Sequence, residues 1–285
     1  MRHIHRNPAG ELMISEMPVA SLAKQFGTPL YVYSGDGFAG YYHAFCDALV
    51  GLDTAVHYAV KANSSLGILG LLAGEGAGAD IVSGGEMQRC LAAGIAANKI
   101  VFSGVGKSDA EIRQALVAGI GQINAESEAE IRHISAIASE MGITAPVALR
   151  VNVNVDPGSH AKISTGQRST KFGIPVADGE AAALYRKIAA DPAIRPAGLA
   201  VHIGSQLTNL APFEAAYLEL LELADSLRAE GLDVPVLDLG GGLGVDYHGD
   251  GEPDFAAYGA LVTRIFSNRG YRLGFEPGRA IAADN

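Results

Sequence analysis

From residue 55 onward the chain alternates short apolar runs with longer amphipathic stretches. The short runs predict strands at Ala55–Val60, Gly78–Val82, Lys99–Phe102, Gln122–Ala125, Val147–Val151, Gly198–Ile203, Val236–Leu239 and Arg272–Phe275. The stretches between them carry helix signals. Ser108-Asp109-Ala110-Glu111 and Ser127-Glu128-Ala129-Glu130 both fit a capping box. Phe213, Ala216, Tyr217, Leu220, Ala224 and Leu227 recur at helical spacing after Pro212, and Gly231 stands where a helix would stop. Eight strands alternating with helices predict an α/β fold of the (β/α)8 barrel type, with a doubly wound open sheet as the second choice. Residues 1–28, with Glu11-Leu12-Met13-Ile14, predict additional strands outside the barrel, which would occupy residues 29–280.

Alternation within the strands sharpens the barrel reading. Val56, Tyr58 and Val60 oppose His57, Ala59 and Lys61; Val201 and Ile203 oppose Ala200, His202 and Gly204; Leu273 and Phe275 oppose Arg272, Gly274 and Glu276. The apolar set should face the helices, which leaves a small or polar set on the barrel axis. Ordinary barrels fill that axis with bulky branched side chains. Here the pattern leaves room for a ligand at the C-terminal ends of the strands.

Composition limits the function classes. Hydrophobic residues are 48% and charged residues 18% of the 285, too apolar for a disordered chain. The 36 glycines have no three-residue period, which excludes collagen. A net charge of −10 without a basic cluster argues against nucleic acid as a partner. Cys46 and Cys90 offer no disulfide framework or zinc spacing and read as buried thiols in helices. Met1–Pro8 has no apolar signal core, and the uncharged run Ala62–Gly74 is too short to span a bilayer. A cytoplasmic protein with no metal is expected.

The polar residues of interest collect where barrel active sites lie. Lys61 ends the first predicted strand; partial desolvation there would lower its pKa and free the amine for attack on a carbonyl, unless the side chain snorkels to the rim. Gly240-Gly241-Gly242-Leu243-Gly244 follows a strand and can cradle phosphate with backbone N–H groups, or can serve as a plain tight turn. Ser205 could add a hydroxyl to the same phosphate. Glu276 could face a protonated ring nitrogen, or pair with Arg272 or Arg279. His202 reads as a stacking or core histidine and His57 as a packed core residue. His160 lies in a segment, Asn152–Gly173, whose length without periodicity suggests function or disorder.

A lysine, phosphate-binding glycines, a stacking histidine and a carboxylate for a pyridine nitrogen together make a pyridoxal-phosphate site. His57-Tyr58-Ala59-Val60-Lys61-Ala62-Asn63, His202-Ile203-Gly204-Ser205-Gln206, Gly240-Gly241-Gly242 and Glu276-Pro277-Gly278-Arg279 resemble the barrel-type pyridoxal-phosphate-dependent decarboxylases. Gly78-Ala79-Asp80-Ile81-Val82-Ser83-Gly84-Gly85-Glu86 and the loop with His160, Ile163-Ser164-Thr165-Gly166 and Lys171-Phe172-Gly173-Ile174 are similar to the members that convert meso-diaminopimelate to L-lysine. The resemblance implies that Lys61 forms the Schiff base with the cofactor, that His202 stacks on its ring and that Glu276 binds its pyridine nitrogen and so stabilises the quinonoid. It implies that Ser205, Gly241, Gly242, Gly278 and Arg279 surround the phosphate, with Arg279 also a candidate for a substrate carboxylate. Asp80 and Arg150 match positions close by.

Family members continue past the Glu-Pro-Gly-Arg turn into a β domain that contributes a cysteine across a homodimer interface and a tyrosine on the phosphate. Neither Cys46 nor Cys90 matches that cysteine, and 281–285 would be only the start of the domain. The resemblance therefore implies that the chain as written binds cofactor and turns over poorly. Other readings are a decarboxylase for ornithine, arginine or lysine, and a pyridoxal-phosphate-binding barrel without catalysis. An amino-acid racemase is disfavoured, because a cation commonly faces the ring nitrogen in that class.

Overall fold

The computed structural model describes residues 3–155, 172–247 and 254–283. Three short strands come first, β1 (Ile4–Arg6), β2 (Leu12–Ile14) and β3 (Met17–Pro18), paired antiparallel in that order. The predicted strand at residues 11–14 is the middle one.

The barrel strands are β4 (Thr54–Ala59), β5 (Gly78–Ile81), β6 (Ile100–Phe102), β7 (Gln122–Ala125), β8 (Ala145–Asn152), β10 (Ile194–Val201), β11 (Val236–Asp238) and β12 (Arg272–Phe275). A two-residue β9 (Ile174–Pro175) extends the C-terminal end of β8. Pairing is parallel throughout. β12 pairs with β4 and β8 with β10, which closes the sheet into a (β/α)8 barrel. All eight predicted barrel strands are present, with shifted ends. The first stops at Ala59, because Val60–Ala62 turns as a 3-10 helix and swings Lys61 over the rim. The sixth starts four residues earlier, at Ile194, where it pairs with Ala145.

The two faces of the strands divide as the alternation predicts. Val56, Tyr58, Ile81, Phe102, Leu149, Leu199, Leu237 and Phe275 belong to one apolar cluster shared with the helices. Ala59, Val101, Ala148 and Ala200 are equally buried but stand apart from that cluster, on the axis. The aromatic residues concentrate between β4, β12 and the outer helices: Phe45 meets Phe275 edge-on at 5.7 Å, and Phe38 meets Tyr58 at 6.3 Å.

Helix starts follow the sequence signals with one exception. Ser108 and Glu111 form a reciprocal capping box. Ser127 caps its helix by accepting the Glu130 N–H, but the Glu130 carboxylate binds the Glu126 N–H and the Lys107 ammonium instead of closing the box. Ala211–Ala229 is one helix with Pro212 in its first turn, and Gly231 takes φ +83° just beyond its end. Cys90 is buried as expected; Cys46 is only half-buried. No helix among the described residues is long and apolar enough to cross a membrane, and no cluster of possible metal ligands occurs among them. His160 and most of the 152–173 segment lie outside the described residues.

Candidate active site

A cavity of about 450 Å3 opens at the C-terminal ends of the strands. Lys61 reaches it from the turn after β4, His202 and Ser205 from the segment after β10, Gly242 and Tyr247 from the segment after β11, and Glu276, Gly278 and Arg279 from the segment after β12. A separate cavity of about 400 Å3 lies at the N-terminal mouth. His57 lines that mouth and bonds the Lys99 carbonyl through Nδ1, so it is not the packed core residue expected: the barrel axis is open enough at this end to leave it partly exposed.

Lys61 donates a hydrogen bond to Asp80 Oδ2, and Asp80 is fully buried beneath it. Burial pulls the Lys61 pKa down, but the Asp80 and Glu276 carboxylates more than offset this, so the net displacement is upward from an ordinary lysine. The expected lowering is therefore corrected. An anion within bonding reach outweighs desolvation, and the free site holds an ammonium. Arg150, also buried, donates to Glu126 Oε1 at 3.0 Å and lies over the Phe172 ring at 5.1 Å.

Glu276 pairs with neither arginine. Arg272 points away toward Asp53 at 3.8 Å, and Arg279 bonds the hydroxyls of Ser205, at 3.3 Å, and Tyr247. Glu276 instead accepts from Ser103 Oγ at 3.4 Å and Asn124 Nδ2 at 3.3 Å, inside the barrel. Burial, then the neighbouring charges of Asp238 and Asp80, push its pKa far above the carboxylate range. That direction favours the protonated form of the carboxyl.

His202 receives the Gly241 N–H on Nδ1 at 3.2 Å. That places the proton of the neutral ring on Nε2. Burial and the Arg150 and Lys61 charges hold its pKa well below that of free histidine, so the ring stays neutral. Gly241 thus uses its N–H to orient His202, whereas Gly242 and Gly278 line the cavity. A Cβ on Gly241 would overlap the Glu276 carbonyl oxygen, and one on Gly242 the Gly204 carbonyl oxygen. Glycine is required at both by close backbone approach.

Of the residues expected from sequence, Lys61, His202, Ser205, Gly242, Glu276, Gly278 and Arg279 line the cavity, whereas Asp80, Arg150 and Gly241 do not; Asp80 bonds Lys61 and Gly241 bonds His202. Sequence reasoning missed Ser103, Gln122, Asn124, Glu126 and Asp238, all buried polar residues on the axis. The same alternation rule would have found them: Gln122 and Asn124 share one face of a strand, as do Asp238 and Gly240. Lys107 was also missed. Its buried ammonium binds the Gly104 and Asn124 carbonyls and Glu130, tying the loops after β6 and β7 together.

The arrangement can hold a flat, anionic aldehyde cofactor. Lys61 supplies an amine, Glu276 a buried carboxyl and His202 a neutral ring beside one cavity whose size suits such a ligand. Gly242, Gly278, Ser205 and Arg279 form a close-approach rim suited to phosphate. The family model for the pyridoxal-dependent decarboxylases, pyridoxal binding domain, matches residues 40–283. The chain is 47% identical to diaminopimelate decarboxylase of Vibrio cholerae, over 100% of this chain and 68% of that protein. It superposes on the crystal structure of diaminopimelate decarboxylase from Helicobacter pylori complexed with L-lysine with a TM-score of 0.89 at 38% identity, covering 92% of this chain and 66% of the other. Lysine decarboxylase from Selenomonas ruminantium matches with a TM-score of 0.82 at 28% identity, over 96% of this chain and 68% of the other. The chain thus spans about two thirds of the length of its relatives, and pyridoxal phosphate fits the residues present. On fold, site and sequence together, the chain belongs to the pyridoxal-dependent decarboxylase family and, within it, to the diaminopimelate decarboxylases.

Proposed function

We propose that this chain carries the pyridoxal-phosphate site for decarboxylation of meso-2,6-diaminopimelate to L-lysine. The observation that carries the reading is the convergence of Lys61, His202 and Glu276 on one cavity rimmed by Gly242, Gly278, Ser205 and Arg279. When bound, the cofactor supplies a sink for the electron pair left at Cα as carbon dioxide departs.

The residues of the chain do the rest. Lys61 would supply the amine for the cofactor aldehyde once freed of the proton that the directly bonded Asp80 stabilises on it. Glu276 would hold a proton at the ring nitrogen, which would keep the sink cationic. A charge-assisted hydrogen bond of this kind contributes about 1.5–3 kcal/mol. His202 covers the ring without adding a competing charge, held in orientation by Gly241. Ser205, Gly242 and Gly278 take the phosphate. Arg279, braced by Ser205 and Tyr247, is placed for the phosphate or a substrate carboxylate. Asp80 and Arg150 set the charge balance around Lys61.

Support for diaminopimelate over other amino acids comes from the relatives, of which those at 45–47% identity are diaminopimelate decarboxylases. The test is carbon dioxide release, with pyridoxal phosphate present, from diaminopimelate, lysine, ornithine and arginine in parallel. Slow release from diaminopimelate alone, abolished in Lys61→Ala, is expected. Preferential release from ornithine or arginine would overturn the substrate, and a borohydride-fixed cofactor adduct surviving in Lys61→Ala would overturn the lysine.

A further inference from the structure

The second cavity, of about 400 Å3 at the N-terminal mouth of the barrel, takes no part in the site described above. Small residues make room for it. Ala55 on β4, Gly78 on β5, Gly121 before β7 and Ala197 on β10 line it, where barrels usually stack bulky side chains. A Cβ on Gly78 would overlap His57 Nδ1 and the Lys99 carbonyl oxygen, so close packing around this glycine fixes His57 and Lys99 at the mouth. Three cations line the cavity: Lys99 just before β6, Arg195 on β10 and Arg272 on β12. No aspartate or glutamate among the described residues does. Counted round the eight closed barrel strands, β10 is three places from β6, β12 two from β10, and β6 three from β12. The charges therefore surround the mouth instead of crowding one side.

Their donors are largely unspent. The Arg195 side chain makes no hydrogen bond or ion pair among the described residues. Lys99 gives one of its three N–H groups to the Gly76 carbonyl at 3.0 Å. Arg272 stands 3.8 Å from Asp53, with both side chains more than half exposed, and solvent screens such a pair to about 1 kcal/mol or less. Cations facing one cavity repel each other, and a cleft of one charge sign concentrates the opposite ion. The chain carries a net charge of −10, so this mouth has a potential opposite to that of the whole. We propose that the N-terminal mouth is a second binding site, for a compact polyanion carrying carboxylate or phosphate groups. Arginine forks pair with either group through two N–H donors. Three cations around one opening match a ligand whose charges are spread over several groups, and the cavity volume suits a small molecule. The inference does not depend on the decarboxylase reading. Lys61, His202 and Glu276 line the other cavity, and buried Gln122 and Asn124, bonded to each other at 2.7 Å, separate the two.

Calorimetric titration of citrate and of pyrophosphate into the chain, with pyridoxal phosphate in saturating excess, tests this at about 0.01 M ionic strength, where screening is weak. One saturable site per chain is expected for at least one of the two anions. It should weaken about tenfold or more in Arg195→Gln and in Arg272→Gln, and recover in part in Arg195→Lys. Tighter citrate assigns the site to polycarboxylates and tighter pyrophosphate to phosphates; either supports it. Absence of saturable binding by both anions, or binding unchanged in both arginine variants, overturns the proposal. Binding kept in Arg195→Gln and lost in Arg279→Gln also overturns it, because the anion would then sit in the C-terminal cavity. Arg195 holds no other side chain among the described residues, so Arg195→Gln should keep the parent Tm without ligand; if it does not, Arg272→Gln decides. A chain that binds citrate at this mouth but releases no carbon dioxide from diaminopimelate would keep this site and lose the proposed function, so the two readings can fail separately.

Discussion

At the scale of single residues, the site depends on which charges are allowed to persist. Glu276 has a folded-state pKa far above its ordinary 4.5 because burial and two carboxylates penalise its anion. The native state therefore retains a proton that the unfolded chain loses above about pH 4.5, and stability falls as pH rises through that window. In cofactor-free protein, Glu276→Gln should flatten this fall, measured as urea unfolding free energy between pH 5 and pH 8 (roughly, the span above the unfolded carboxyl pKa). An unchanged slope would show that Glu276 is ionised in the native state. Gly242 makes a second residue-scale case. It has φ +112°, and a Cβ there would meet the Gly204 carbonyl oxygen. Gly242→Ala should cost about 1–3 kcal/mol of stability and weaken pyridoxal phosphate more than pyridoxal, by titration of each. Lys61 taught the opposite lesson from the one its position suggested, since an apolar strand end says nothing about the Asp80 carboxylate arriving from the next strand.

At the scale of elements, the loops after β6 and β7 are held by side chains rather than by backbone pairing. Lys107 has a 1% exposed side chain that bonds two carbonyls and Glu130. Lys107→Met leaves the Glu130 charge with a single backbone N–H donor, and should destabilise by about 3 kcal/mol in urea unfolding. Ser108→Ala removes one half of a complete capping box and should cost about 1 kcal/mol by the same measurement. The capping signatures were legible in sequence because they need only residues three apart. The diversion of the Glu130 side chain to Lys107 was not, because Lys107 comes from a neighbouring loop 23 residues away in sequence.

At the scale of the molecule, the barrel closes through β8–β10 and β12–β4, which places the ends of β4, β10, β11 and β12 around one mouth. Anything that bridges those ends binds the folded state alone. Pyridoxal phosphate at a hundredfold excess over its Kd should therefore add about 2.7 kcal/mol to stability, read as a higher Tm. Lys61→Ala should lose part of that gain and Gly242→Ala more; equal gains in all three would place the cofactor elsewhere.

The strand and helix order, the apolar and polar faces of the strands, and seven residues that line the cavity were readable along the chain. The elements follow from local periodicity, and the site residues from specific residue chemistry together with the resemblance of the motifs to a known family. The charge and orientation of those residues came from the fold. Closure brought Asp80 to Lys61, Asn124 to Glu276 and the Gly241 N–H to His202, from positions 19, 152 and 39 residues apart. Charge and protonation are set by such neighbours through space and by exclusion of water, and neither is encoded in the spacing of residues along a strand.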